Sequence, residues 1–237
     1  MTYMDMGLTL LTLTALEIIL GVDNLVFLSI LTEKLPQGLR RKARYWGLSF
    51  AWMSRLFLLA FALVLVSLNE TLFEIRGYSF SIHTLFLIIG GFFLIAKATQ
   101  EIHIEVDPQE LSPKDLKKKY SFWGVVLQVA LMDIVFSTDS VLTAIGLTNE
   151  FWIMALAISI AIIVMLYSST AIAEFISRYP TIKMLALCFL LLIGTLLIAD
   201  GFSFHVPREY LYTVMIFSLG VEGLNHLKRR RTSKKRR

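Results

Sequence analysis

Leu16-Glu17-Ile18-Ile19-Leu20-Gly21-Val22-Asp23-Asn24-Leu25 lies in the middle of an apolar run that extends from about residue 7 to 31. At an offset of 116 residues, Met132-Asp133-Ile134-Val135-Phe136-Ser137-Thr138-Asp139-Ser140-Val141 repeats its pattern: an acid, an Asp six positions later, then a small amide or hydroxyl residue. An Asp at the centre of a spanning helix disfavours insertion by roughly 2.5–3.5 kcal/mol. Four such carboxylates amount to roughly 10 kcal/mol or more on the same scale, and packing has no use for them. Acids inside a membrane segment mark ion pathways or proton relays.

The rest of the chain agrees that these runs are membrane segments. Of 237 residues, 56% are hydrophobic and 17% charged, where a soluble domain carries roughly a quarter charged. The spacing predicts spans at about 7–31, 45–67, 82–98, 121–147, 151–172, 183–200 and 208–227. The segment before the first run carries Asp5 and no Lys or Arg, so it reads as a first spanning helix and not as a signal peptide. The single cysteine, Cys188, excludes an intrachain disulfide and reads as a small apolar packing residue.

Basic residues alternate between loops. Lys34, Arg40, Arg41, Lys42 and Arg44 follow the first span; Lys97, Lys114, Lys117, Lys118 and Lys119 follow or close the third. Arg178 and Lys183 follow the fifth, and the tail from Lys228 to Arg237 holds eight more. Only Arg55, Arg76 and Arg208 of the 23 basic residues fall elsewhere. Positive loops stay cytoplasmic. The bias therefore puts the N-terminus outside and the C-terminus in the cytoplasm. The net charge of +5 is a topology signal, and the basic tail reads as a contact with anionic lipid, not nucleic acid.

Three spans separate the two acidic runs, counting the first, so the copies cross the membrane in opposite directions. That is an inverted-topology repeat, whose site is expected near the midplane at the repeat interface. The expected fold is an all-α polytopic membrane protein of about seven spanning helices. It is one transmembrane domain: repeat one over about 7–98, repeat two over about 121–200, a seventh helix over about 208–227, and a basic cytoplasmic tail at 228–237.

Residues seven apart share a helix face, so Glu17 aligns with Asn24 and Asp133 with Ser140. Asp23 and Asp139 lie about a third of a turn away. Either the helices unwind, at Gly21 and around Ser137-Thr138, or the second Asp faces a different neighbour. The set Glu17, Asp23, Asn24, Asp133, Asp139 and Ser140 offers only oxygen ligands, the preference of hard divalent cations. A proton relay without metal, or acids neutralised by Arg55 for structural reasons, are the alternatives. Arg55 is the one basic residue deep in a span and is expected to pair with one of these acids and to balance charge when the cation leaves. No resident cofactor is expected, and no nucleophile or phosphate-binding loop accompanies the acids, which speaks against an enzyme.

Weaker signals remain. The loop over 99–120 reads as a solvated connector, with metal collection by Glu101, His103, Glu105 and Asp107 as the alternative. Asp200 and His205 read as interface caps, or else as an exit vestibule. Glu222 and His226 share a face of the last helix. Gly90-Gly91 implies close helix approach.

Three stretches resemble the TerC family of integral membrane proteins: Glu17 to Phe27 (EIILGVDNLVF), Gly90 to Ile102 (GGFFLIAKATQEI) and Asp133 to Ser140 (DIVFSTDS). The similarity runs from about Leu8 to Leu227. The resemblance implies seven spans and an inverted repeat, as in LysE-type exporters, in the inner membrane of a bacterium. It implies export of a divalent cation, Mn²⁺ foremost and Ca²⁺ as the rival, through Glu17, Asp23, Asp133 and Asp139 with Asn24 and Ser140 beside them. The partners it implies are the cation, the bilayer and, optionally, further copies of the chain. The other readings are a metal-sensing protein or an assembly subunit linked to tellurium resistance. Tellurite itself is an anion that an acidic site repels.

Overall fold

A computed structural model describes residues 3–61, 71–75, 78–107, 121–148, 150–204 and 207–235. Seven helices lie among them: α1 (Tyr3–Glu33), α2 (Gln37–Ala60), α3 (Ile82–Val106), α4 (Phe122–Leu147), α5 (Phe151–Arg178), α6 (Pro180–Gly201) and α7 (Arg208–Lys235). Four of them, α1, α3, α5 and α6, are long and apolar enough to cross a membrane by length and composition. Large apolar side chains such as Leu8, Ile89, Phe92, Trp152 and Ile216 point outward, as lipid-facing residues do. Cys188 is among the exposed residues, so it faces outward and does not fill the core.

Local chemistry sets the element ends. Pro180 has no N–H and biases Tyr179 away from helical geometry, so α5 stops and α6 starts with Pro in its first turn. Ser81 and Thr84 form a reciprocal capping box at the start of α3. Two differences from the sequence reading stand out. The second helix begins at Gln37, not near residue 45, because Gln37 to Arg44 continue it with Ala43 turned inward and Arg41 and Lys42 outward; it ends at Ala60, and residues 62–67 of the expected span lie outside the described residues. A short antiparallel hairpin, β1 (Thr71–Ile75) with β2 (Tyr78–Ser81), precedes α3.

The helix directions carry the architecture. Asn24 meets Asp133 and Glu17 meets Ser140, so α1 and α4 run antiparallel. Arg44 meets Thr170 and Trp52 meets Ser159, so α2 and α5 run antiparallel. Gly91 faces Gly194, while Gly201 faces Thr84 and Ile88, so α3 and α6 run antiparallel. The principal packing pairs also survive exchange of the two triplets: α1 on α5 becomes α4 on α2, and α3 on α6 maps onto itself. Each helix of the first triplet thus opposes its counterpart, the pattern of an inverted repeat. The seventh helix packs on α6.

The α3–α6 contact is the most extensive and depends on two glycines. A Cβ on Gly91 would lie 2.6 Å from the Gly194 carbonyl oxygen, and one on Gly194 would lie 2.9 Å from that of Gly91. Backbone cannot yield as a side chain can. Gly91→Ala is expected to cost about 1–3 kcal/mol by overpacking, seen as a lower melting temperature in detergent. Gly7→Ala, which meets open space, is expected to leave melting unchanged or slightly raised.

Candidate functional site

The Arg55 guanidinium, brought by α2, sits between Glu17 of α1 and Asp133 of α4. Its Nη2 and Nε donate to Asp133 Oδ1 at 2.7 Å and Oδ2 at 3.2 Å, and its Nη1 donates to Glu17 Oε2 at 2.6 Å. The planar fork grips one carboxylate with two bonds and reaches the other with a third, a geometry that lysine cannot reproduce. Arg55 is 2% exposed, Glu17 3% and Asp133 5%, so water does not solvate the charges. Two acids and one base leave a net charge of −1.

The repeat is visible in the second layer of contacts. Asn24 Nδ2 donates to Asp133 Oδ1 at 3.1 Å, and Ser140, whose hydroxyl donates to the Ser137 carbonyl at 3.2 Å, lies beside Glu17. Under the repeat these two contacts exchange. Arg55 breaks the symmetry, since α5 has no basic residue near its centre. Among the described residues, Asn24 Oδ1 is buried without a hydrogen-bond partner. A cavity of about 20 Å³ opens beside Asn24 and Asp133, room for one water-sized group.

Asp23 stands apart. Both α1 and α4 are continuous helices through the acidic runs, so the unwinding considered for Gly21 and Ser137-Thr138 does not occur. Gly21 serves packing: a Cβ there would lie 2.6 Å from the sulfur of Met165 on α5. With the helix intact, the third of a turn between Glu17 and Asp23 points Asp23 at other neighbours. It lines a cavity of about 50 Å³ with Ser140 of α4, Asp200 of α6 and Leu211 of α7. A second, apolar cavity between α1, α6 and α7 also reaches Asp23. Among the described residues its carboxylate has neither an ion-pair nor a hydrogen-bond partner.

Of the residues predicted from sequence, Glu17, Asn24, Asp133, Ser140 and Arg55 therefore form one cluster, and Asp23 faces the adjoining cavity that Ser140 also lines. The side chain of Asp139 lies outside the described residues. Among the described residues, no three His, Cys, Asp or Glu side chains gather as a metal site. That includes Glu101, His103 and Glu105, which α3 carries as helix, not loop. Glu101 is buried and ion-paired with Lys34, so the solvated-connector reading fails for its first turns. Asp200 lines the cavity; the only signal in the sequence was an acid closing an apolar run. His205 and the side chain of His226 lie outside the described residues.

A family model described as "Integral membrane protein TerC family" matches residues 3–237. The chain is 44% identical over 225 residues to the UPF0053 inner membrane protein YgdQ of Escherichia coli K12, covering 94% of each. It is 45% identical over 221 residues to the UPF0053 inner membrane protein YoaE of the same organism, covering 93% of this chain and 43% of that one. With the UPF0053 protein YegH it shares 44% identity over 218 residues, 92% of this chain and 41% of the relative. The chain thus spans about two fifths of YegH and YoaE and nearly all of YgdQ. No solved structure matches it.

Proposed function

Because the chain belongs to the TerC family of integral membrane proteins, we propose that it exports a divalent metal cation, Mn²⁺ foremost, across the inner membrane of a bacterium. The observation that carries this reading is Asp23. It is a carboxylate inside a helix bundle, unpaired among the described residues, on a cavity that also holds Ser140 and Asp200. A fold gains nothing from such a group, whereas a cation pathway needs it.

The cation would bind first at Asp23, through oxygen ligands and retained waters. Glu17 and Asp133 form the adjoining reserve of negative charge, with Arg55 as the internal counter-ion that holds them while no metal is present. The two helix triplets would then rock about the site to expose it to the other face. With the N-terminus outside and the tail in the cytoplasm, as the basic loops favour, export carries the cation away from the face that bears those loops; the direction itself is taken from the resemblance to exporters. The role is that of a carrier, with no chemical conversion of the cation.

Carboxylates that release a divalent cation take up protons, so the reading includes proton antiport. Mn²⁺ uptake into proteoliposomes is expected to rise when an opposing proton gradient is imposed and to fall when an ionophore dissipates it. Uptake indifferent to the gradient removes the antiport step. A second reading, an assembly subunit whose acids pair with a partner's basic residues, draws on the negative charge left over when Glu17 and Asp133 share the one Arg55. Retained Mn²⁺ binding in wild type that disappears in Asp23→Ala decides against it.

A further inference from the structure

The end of the bundle where α1 and α3 finish and α6 begins is closed in two layers. The inner layer is apolar: Ile30 of α1, Ile176 of α5 and Leu187 of α6 form a separate buried cluster, with Val26 and Ile102 packed against it. The outer layer is ionic. Lys183, in the first turn of α6, donates to Glu33 of α1 at 3.1 Å and to Glu105 of α3 at 2.7 Å. Lys34, just after α1, pairs with the buried Glu101 of α3. Burial shifts the Lys34 ammonium below the usual lysine range, and the Glu101 carboxylate opposes that shift.

These contacts are unusual in where they fall. A lysine in a first helical turn meets the positive end of the helix dipole, so Lys183 is favourable there only through its two acids. Both acids belong to the first helix triplet and Lys183 to the second. The link therefore spans the two bodies that an inverted-repeat carrier moves against each other. Two cavities meet at Asp23: the one shared with Ser140 extends towards the other end of the bundle, where Asp200 closes α6 and Leu211 lies in the first turn of α7, and the apolar one runs back along Val26 and Ile30 to Ile182, beside Lys183.

We propose that Glu33–Lys183–Glu105, seated on the Ile30–Ile176–Leu187 layer, is the cytoplasmic gate of the Asp23 site, closed in this structure. Lys34–Glu101 braces the α1 and α3 ends of the first triplet beside it. The inference rests on the transport reading for its purpose, but the closure itself is testable without transport. Breaking the link frees the start of α6 to part from α1 and α3 and opens the apolar cavity that runs from Asp23 past Val26 and Ile30 to the cytoplasmic face.

The test is thiol accessibility in inverted membrane vesicles. Val26→Cys is placed in a Cys188→Ser background and reacted with a membrane-impermeant maleimide. Adding Lys183→Gln is expected to speed labelling by about tenfold, the shift that a partly buried ion pair exerts on a two-state equilibrium. The full charge exchange, Lys183→Glu with Glu33→Lys and Glu105→Lys, is expected to restore slow labelling, and Glu105→Gln supplies a second opening variant should Lys183→Gln fold poorly. Unchanged labelling in a folded opening variant overturns the gate. Faster labelling in a protein that moves no Mn²⁺ supports the gate and removes the transport reading. Mn²⁺ flux with unchanged labelling does the reverse.

Discussion

Arg55→Ala is expected to destabilise the protein by about 3–5 kcal/mol, the cost of leaving buried charge without its partner. The substitution removes three hydrogen bonds, at 2.6, 2.7 and 3.2 Å, and leaves two carboxylates facing each other at no more than 5% exposure. Asn24 supplies one further donor to Asp133, too little to hold an anion out of water. Loss of thermal stability in detergent, or of membrane accumulation, is the readout. Arg55→Lys is expected to recover only part of the loss, since an ammonium cannot span both acids with the same fork. The triple variant Arg55→Met, Glu17→Met, Asp133→Leu is expected to recover most of the lost stability, because a buried ion-pair cluster replaced as a whole by apolar side chains costs little. That triple variant should nevertheless transport nothing. An Arg55→Ala protein with normal stability and normal flux would remove the counter-ion role altogether.

Much of this architecture could be read from residue types. Glu17, Asp133 and Arg55 stand out because charge inside an apolar run has few explanations, and the structure joins them directly. The opposed directions of α1 and α4 follow from counting spans between the acidic runs. Gly90-Gly91 pointed to close approach, and Gly91 meets Gly194 backbone to backbone.

What escaped had physical reasons. Gly21 in a helix interior reads equally as a break or as a close contact, and only the position of Met165 decides. The continuous helix then separates Asp23 from Glu17, which pattern alone left open. The hairpin at Thr71–Ser81 is a few alternating residues in a chain where apolar residues are everywhere, so period two has no contrast. Glu101 looked solvated because its neighbours are charged. Its burial depends on α3 continuing to Val106 and on Lys34 arriving from the far side of α1, a pairing that no local pattern encodes.

The second large effect concerns Asp23 itself. Glu17 and Asp133 already spend their charge on Arg55, while Asp23 offers an unpaired carboxylate, among the described residues, to a cavity. Its loss should therefore strike the function without striking the fold. Removing even an outer-shell partner weakens metal sites by about 10–100-fold, so losing a direct carboxylate should reduce flux by at least about 100-fold. Among the described residues no hydrogen bond or ion pair is lost with it, and melting in detergent should stay near wild type. This contrast with Arg55, where stability fails first, separates a ligand from a structural counter-ion.

The most direct measurement is Mn²⁺ flux in proteoliposomes, wild type beside Asp23→Ala, with Ca²⁺ and Mg²⁺ as competitors. Flux in the wild type that disappears in a folded Asp23→Ala, and that Mn²⁺ outcompetes both other ions for, is the predicted result. Absence of flux in folded wild type across several proton gradients, or undiminished flux in Asp23→Ala, would contradict it.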